Sequence, residues 1–161
     1  MRFLNQAVLF LSPIASLILY IVDRLLKLYA YAYLQQTSIS VMPFVSYTYA
    51  LNHGISWGLF EQMPPLILTG LLGMTTLLIF NLARTHQSQV VRTGLTAVWL
   101  GSTSNIIDRL IYSGVIDYIE LNLASFDFPV FNLADVMIVS GLLYTALQFL
   151  MGPTDDARMA R

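Results

Sequence analysis

FNLADVMIVSGLLYTALQFLM, Phe131 to Met151, is long and apolar enough to cross a bilayer, which takes about 20 residues. Yet it carries Asn132 and Asp135 at its entry, and Gly152-Pro153 closes it as a helix-stop pair. A carboxylate at or near hydrocarbon costs roughly 2.5–3.5 kcal/mol on insertion scales. A second aspartate lies shortly before this run, in Val115-Ile116-Asp117-Tyr118. Two carboxylates brought together there cost more still unless they share a proton. A proton-sharing carboxylate pair is the chemistry of an aspartic peptidase. Asp117 and Asp135 are therefore the candidate catalytic pair.

The rest of the chain is also built for lipid. Its 161 residues are 57% hydrophobic and 11% charged, against about 25% charged in a soluble domain. A net charge of −1 offers no basic field for nucleic acid. The absence of cysteine excludes disulfides, thiol catalysis and thiolate metal sites. His53 and His86 are far apart in sequence, so a His-rich metal site is not expected.

Four stretches read as transmembrane helices, at about 3–22, 66–83, 93–109 and 131–151. The first is expected to stop at Asp23 and to remain as a span, since its apolar run is longer than a usual leader and no small-x-small cleavage site follows. Arg2, Arg84, Arg92, Arg158 and Arg161 all fall on one side of such a four-span chain. By the positive-inside rule that side, with both termini, is cytoplasmic. The opposite side receives two outer loops, about 29–63 and 110–130. Ser38 to Tyr49 reads as short strands with a turn near Pro43. Ile116, Ile119, Leu121 and Leu123 suggest a segment lying at the interface.

Under this topology the polar residues converge on one outer patch: Asp23, Lys27, Asn52, Gly54, Asn105, Asp108, Arg109, Asp117, Asn132 and Asp135. Each also has a simpler reading. Asp23 and Lys27 can be an i,i+4 pair at a helix end. Asn132 can be an N-cap, and Asp135 a first-turn carboxylate. Asp108 and Arg109 can neutralise each other. Asn52-His53-Gly54 is first a turn, with His53 at the surface, while Ser102 and Ser104 can serve close helix packing.

In motif order, the chain resembles lipoprotein signal peptidase (signal peptidase II), a family of aspartic peptidases of bacterial inner membranes. Five motifs carry the resemblance: Asp23 to Lys27, Asn52-His53-Gly54-Ile55-Ser56-Trp57-Gly58, Gly101 through Asn105 to Asp108-Arg109, Val115 to Tyr118, and Phe131 to Asp135. Arg24, Leu26, Leu51 and Ser104 depart from the usual pattern. The resemblance implies removal of signal peptides from diacylglyceryl-modified prolipoproteins, with cleavage just before the lipidated cysteine. It implies a catalytic pair at Asp117 and Asp135, and a pocket lined by Asn52, Gly54, Asn105, Arg109 and Asn132. Asp23 and Lys27 would support that pocket. Membrane lipids and globomycin-type inhibitors are the other expected partners, and no cofactor is implied. The fold expected is an all-α membrane protein of one domain, 1–161, with four transmembrane helices, a small β-rich extracytoplasmic cradle and an interfacial loop segment. The active site would lie near the outer leaflet. A catalytically inactive paralogue, or a four-helix membrane protein that binds lipopeptide without cutting it, would carry the same residues. A transporter would need polar residues through the membrane depth.

Overall fold

In a computed structural model, residues 12–55, 59–123 and 126–151 are described. The beginning of the first expected span, the Ser56-Trp57-Gly58 end of the second motif, and Arg2, Arg158 and Arg161 lie outside them. The chain runs α1 (Pro13–Tyr33), β1 (Ile39–Met42), β2 (Val45–Asn52), α2 (Pro65–Thr85), α3 (Gln89–Tyr112), β3 (Val115–Leu123), β4 (Phe126–Asp127) and α4 (Leu133–Met151). Helix α3 is the central one, packed against α4, α2 and α1.

The helices present an inverted pattern. On α1 the buried positions are Ser16, Asp23, Lys27 and Ala30, spaced by whole turns, while Leu17, Ile18, Ile21, Val22, Leu25 and Leu28 are exposed. Polar groups face the bundle and hydrocarbon faces outward, as a lipid surrounding requires. Pro65–Thr85 and Leu133–Leu150 are each long and apolar enough to cross a membrane. Helices α1 and α3 carry the interior charges.

Small residues let α3 and α4 approach closely. A Cβ at Gly101 would stand 2.6 Å from the Ala134 carbonyl oxygen, and one at Gly141 would stand 2.6 Å from that of Gly94.

The strands form one antiparallel sheet in the order β1-β2-β3-β4. Ala50 pairs with Asp117 and Asn52 with Val115, so Asn52 and Asp117 lie diagonally on the same face. The residue that leads into α4 is then stitched to β3. Tyr118 N and Ile119 N donate to the Phe131 carbonyl at 3.0 and 2.7 Å, and Phe131 N donates back to Ile119 at 3.0 Å. This stitch brings the start of α4 beside Asp117.

Several expectations are corrected. Asp23 does not end α1, which continues to Tyr33 because the charges of Asp23 and Lys27 are buried and paired. The third helix is longer than 93–109, from a Ser88 N-cap to Ser113 in the left-handed conformation. The chain is mostly helical but not all-α, and the interfacial loop segment over 110–130 contains β3. From Ile119 to Leu123, apolar and polar residues alternate with the period of a strand. Val115 to Tyr118 are buried between β2 and the helices.

The close α3–α4 seam gives a paired expectation. Gly101→Ala forces a Cβ onto backbone and should cost about 1–3 kcal/mol. Gly70→Ala and Gly73→Ala on α2, where nothing lies within 4 Å, should be neutral or gain up to about 1 kcal/mol. Thermal unfolding in detergent checks both.

Candidate active site

The site is built on a buried charge cluster. Asp23 and Lys27, one turn apart on α1, stand 3.4 Å apart. Asp108 on α3 receives Lys27 Nζ at 2.7 Å on one oxygen and Arg24 Nη1 at 2.5 Å on the other. Ser104 Oγ donates to Asp23 Oδ2 at 2.6 Å, and Arg24 also donates to the Ser104 carbonyl at 3.2 Å. Two acids and two bases thus neutralise one another, which burial of such charges requires. The expected Asp108–Arg109 self-pairing is not what forms, because neighbours i and i+1 on a helix do not face each other. Arg109 instead reaches the outer turn. It donates through Nη1 to the His53 carbonyl at 3.3 Å and through Nη2 to that of Gly54. The Asn52-His53-Gly54 turn is therefore both a turn and part of the site.

Three asparagines connect this cluster to the aspartates. Asn52 Nδ2 and Asn132 Nδ2 donate to the two oxygens of Asp117, at 3.0 and 2.6 Å. Asn105 Nδ2 and the Asn132 backbone N–H donate to the two oxygens of Asp135, at 2.8 and 3.1 Å. Each amide carbonyl is held by a donor of its own. Gly54 N donates to Asn52 Oδ1 at 3.0 Å, Lys27 Nζ to Asn105 Oδ1 at 2.6 Å, and Asp135 N to Asn132 Oδ1 at 2.9 Å. These bonds fix which way every amide points, so each NH2 group faces a carboxylate. Asn132 and Asp135 also form a reciprocal capping pair at the start of α4. Their structural and site readings coexist.

All ten residues singled out from sequence belong to this one bonded network. Arg24, Ser104 and Tyr118 belong to it as well; from sequence Arg24 reads as a site charge beside an acidic residue and Ser104 as a packing residue. Arg24 and Ser104 stand as departures from the family pattern, yet they bond each other. Tyr118 Oη donates to Asp23 Oδ1 at 2.9 Å and accepts from Leu133 N at 3.1 Å. Its motif position was the one available signal. Ser102 has no role in these bonds, and His53 is exposed, with Nδ1 3.1 Å from the Ser113 carbonyl.

Asp117 is 2% exposed. Burial, then the neighbouring charge of Asp135, push its carboxyl up to about 7, against the opposing pull of the Asn52 and Asn132 hydrogen bonds and of Lys27. Asp117 therefore keeps a proton up to near neutrality. Such a pair can donate from one carboxyl while accepting at the other. Among the described residues, no group of three His, Cys, Asp or Glu side chains is arranged to hold a metal ion.

The fold is shared with two solved bacterial membrane enzymes. One aligns with a TM-score of 0.76 at 20% identity over 91% of this chain and 88% of that one. The other aligns at 0.73 and 21% identity over 93% and 95%. The model of the family described as "Signal peptidase (SPase) II" matches residues 15–151, and the chain belongs to that family. The lipoprotein signal peptidase of Nitrobacter hamburgensis is 32% identical over 140 residues, spanning 82% of this chain and 85% of the relative. That of Wigglesworthia glossinidia brevipalpis is 35% identical over 109 residues, spanning 66% and 71%.

Two outcomes follow from the electrostatics. Asp108→Ala removes the partner shared by Arg24 and Lys27 and should destabilise the protein by about 3–5 kcal/mol, read by unfolding in detergent. Asp117 gives a pH dependence. Between its ordinary value of 3.8 and about 7, the folded chain holds a proton that the unfolded chain has lost. Stability should therefore fall as pH rises through that window and level off above it. Asp117→Asn should remove this part of the slope in melting curves recorded from pH 4 to 8.

Proposed function

We propose that the chain is an aspartic endopeptidase that removes signal peptides from diacylglyceryl-modified prolipoproteins, cutting before the lipidated cysteine. The substrate class rests on the family and on its named relatives. The aspartic mechanism rests on one observation: Asn132 hydrogen-bonds both Asp117 and Asp135, within a shell whose four donors all point at carboxylate oxygens. Asp135, ionised, takes a proton from a water that attacks the scissile carbonyl carbon. Asp117, carrying the shared proton, donates it to the carbonyl oxygen as the tetrahedral intermediate forms. The intermediate collapses as Asp135 passes the proton it took from water to the departing amine of the lipidated cysteine, and Asp117 recovers a proton from the hydroxyl that becomes the product carbonyl. Arg109, Gly54 and Asn52 hold the outer wall against which the substrate backbone lies. Asp23, Lys27 and Asp108 support Asn105 from beneath.

In this reading residues 1–161 form one multi-pass domain of a bacterial inner membrane. All four helices cross, both termini are cytoplasmic, and the site opens near the outer leaflet. The apolar outer faces of α1, α2 and α4 support this placement, since they would meet lipid tails. Globomycin-type peptides would occupy the substrate pocket.

Asp117→Asn and Asp135→Asn should each abolish processing of a diacylated precursor in a gel-shift assay, while the protein still inserts and folds. Globomycin should inhibit the wild-type reaction. Normal processing by either variant would remove the pair from the mechanism, and equal cleavage of an unlipidated precursor would refute the substrate.

A further inference from the structure

We propose that the Tyr118 hydroxyl is a positioning group: with Asp23, it caps the start of α4 and so sets where Asp135 stands relative to Asp117. The proposal rests on the aspartate-pair reading above and adds a residue that touches neither aspartate.

The first N–H groups of a helix have no partner within it. Left bare in an apolar surrounding, each would cost free energy. At α4 these groups are met from three directions. Leu133 N donates to Tyr118 Oη at 3.1 Å, Ala134 N to Asp23 Oδ1 at 3.1 Å, and Asp135 N to Asn132 Oδ1 at 2.9 Å. Only the last is the helix capping itself. The other two acceptors come from β3 and α1, and Tyr118 Oη bonds Asp23 Oδ1 at 2.9 Å. The carboxylate of Asp23 also favours the positive end of the helix dipole.

Tyr118 directly follows Asp117 on β3, so the two side chains point to opposite faces of the strand. One strand thus presents a carboxyl to the pair and, behind it, a hydroxyl to the helix that carries the second carboxyl. The spacing of the two aspartates passes through the Tyr118–Leu133 bond as well as through Asn132. The ring itself is held separately. It is 1% exposed and meets Tyr47 edge-on at 5.5 Å. Burial raises the phenol above its ordinary range, which keeps the hydroxyl a donor to Asp23. Phenylalanine fills the same space and lacks only the oxygen, so positioning is separable from packing.

Two variants break the bond from opposite ends. Tyr118→Phe removes the acceptor. Leu133→Pro removes the donor at the first helical position, where proline is tolerated. Each should fold in detergent. Each should cut kcat on a diacylglyceryl-modified precursor by about 10- to 100-fold, the scale of a small misplacement, with KM little changed. The double variant should lose no more than Tyr118→Phe alone, because that change already removes the Leu133 acceptor along with the bond to Asp23. Wild-type kcat in Tyr118→Phe overturns the proposal, as do losses confined to KM or losses that multiply in the double variant. If Tyr118→Phe does not accumulate folded, Leu133→Pro alone decides: a kcat-only loss supports the cap and an unchanged kcat overturns it. An inactive Asp117→Asn beside a fully active Tyr118→Phe keeps the aspartate reading and discards the cap. An active Asp117→Asn discards the reading itself.

Discussion

A buried carboxyl group is tolerable only when donors surround it or a proton neutralises it, and here both happen around Asn132. Its side chain bonds Asp117 and its backbone bonds Asp135, at 2.6 and 3.1 Å. It stands where β3 and the start of α4 are stitched together at Phe131. Remove that stitch and the aspartates belong to unrelated elements. The other parts of the site can be read as support for this junction. Asn52 and Asn105 complete the donor shell, Lys27 and Gly54 orient them, and Arg109 holds the outer turn.

The surroundings explain why so much polar machinery is needed. With hydrocarbon outside the bundle, the interior is the only place where charges can be satisfied. The helices accordingly turn Asp23, Lys27 and Asp108 inward and Leu, Ile and Val outward. The cluster of two acids and two bases carries no net charge, which lets its members be buried together. Close α3–α4 contact at glycines sets the depth of α4, and with it the height of Asp135.

Much of this was legible in the sequence, for identifiable reasons. Apolar length marked α2 and α4 almost to the residue. All ten residues gathered from the sequence meet in one network; nine of them are polar or charged, and each of those is costly in lipid unless a partner waits. What escaped was set by tertiary context. Asp23 looked like a helix end because charge usually leaves the bilayer; its partner on α3, Ser104, is 81 positions away. Asp108 and Arg109 looked like a pair because adjacency in sequence hides their divergence around a helix. Strand β3 was masked by its buried first half, although Ile119 to Leu123 alternates. Ser104 and Arg24 looked like unrelated departures until their bond was seen.

The most direct test of the central claim is the protonation state of the pair. Infrared difference spectroscopy of the carboxyl C=O stretch, recorded on the lipid-reconstituted protein across pH, reports it without turnover. The account requires one protonated carboxyl that persists until about pH 7 and disappears in Asp117→Asn. Asp117 titrating near 4, as an isolated aspartate does, would contradict it.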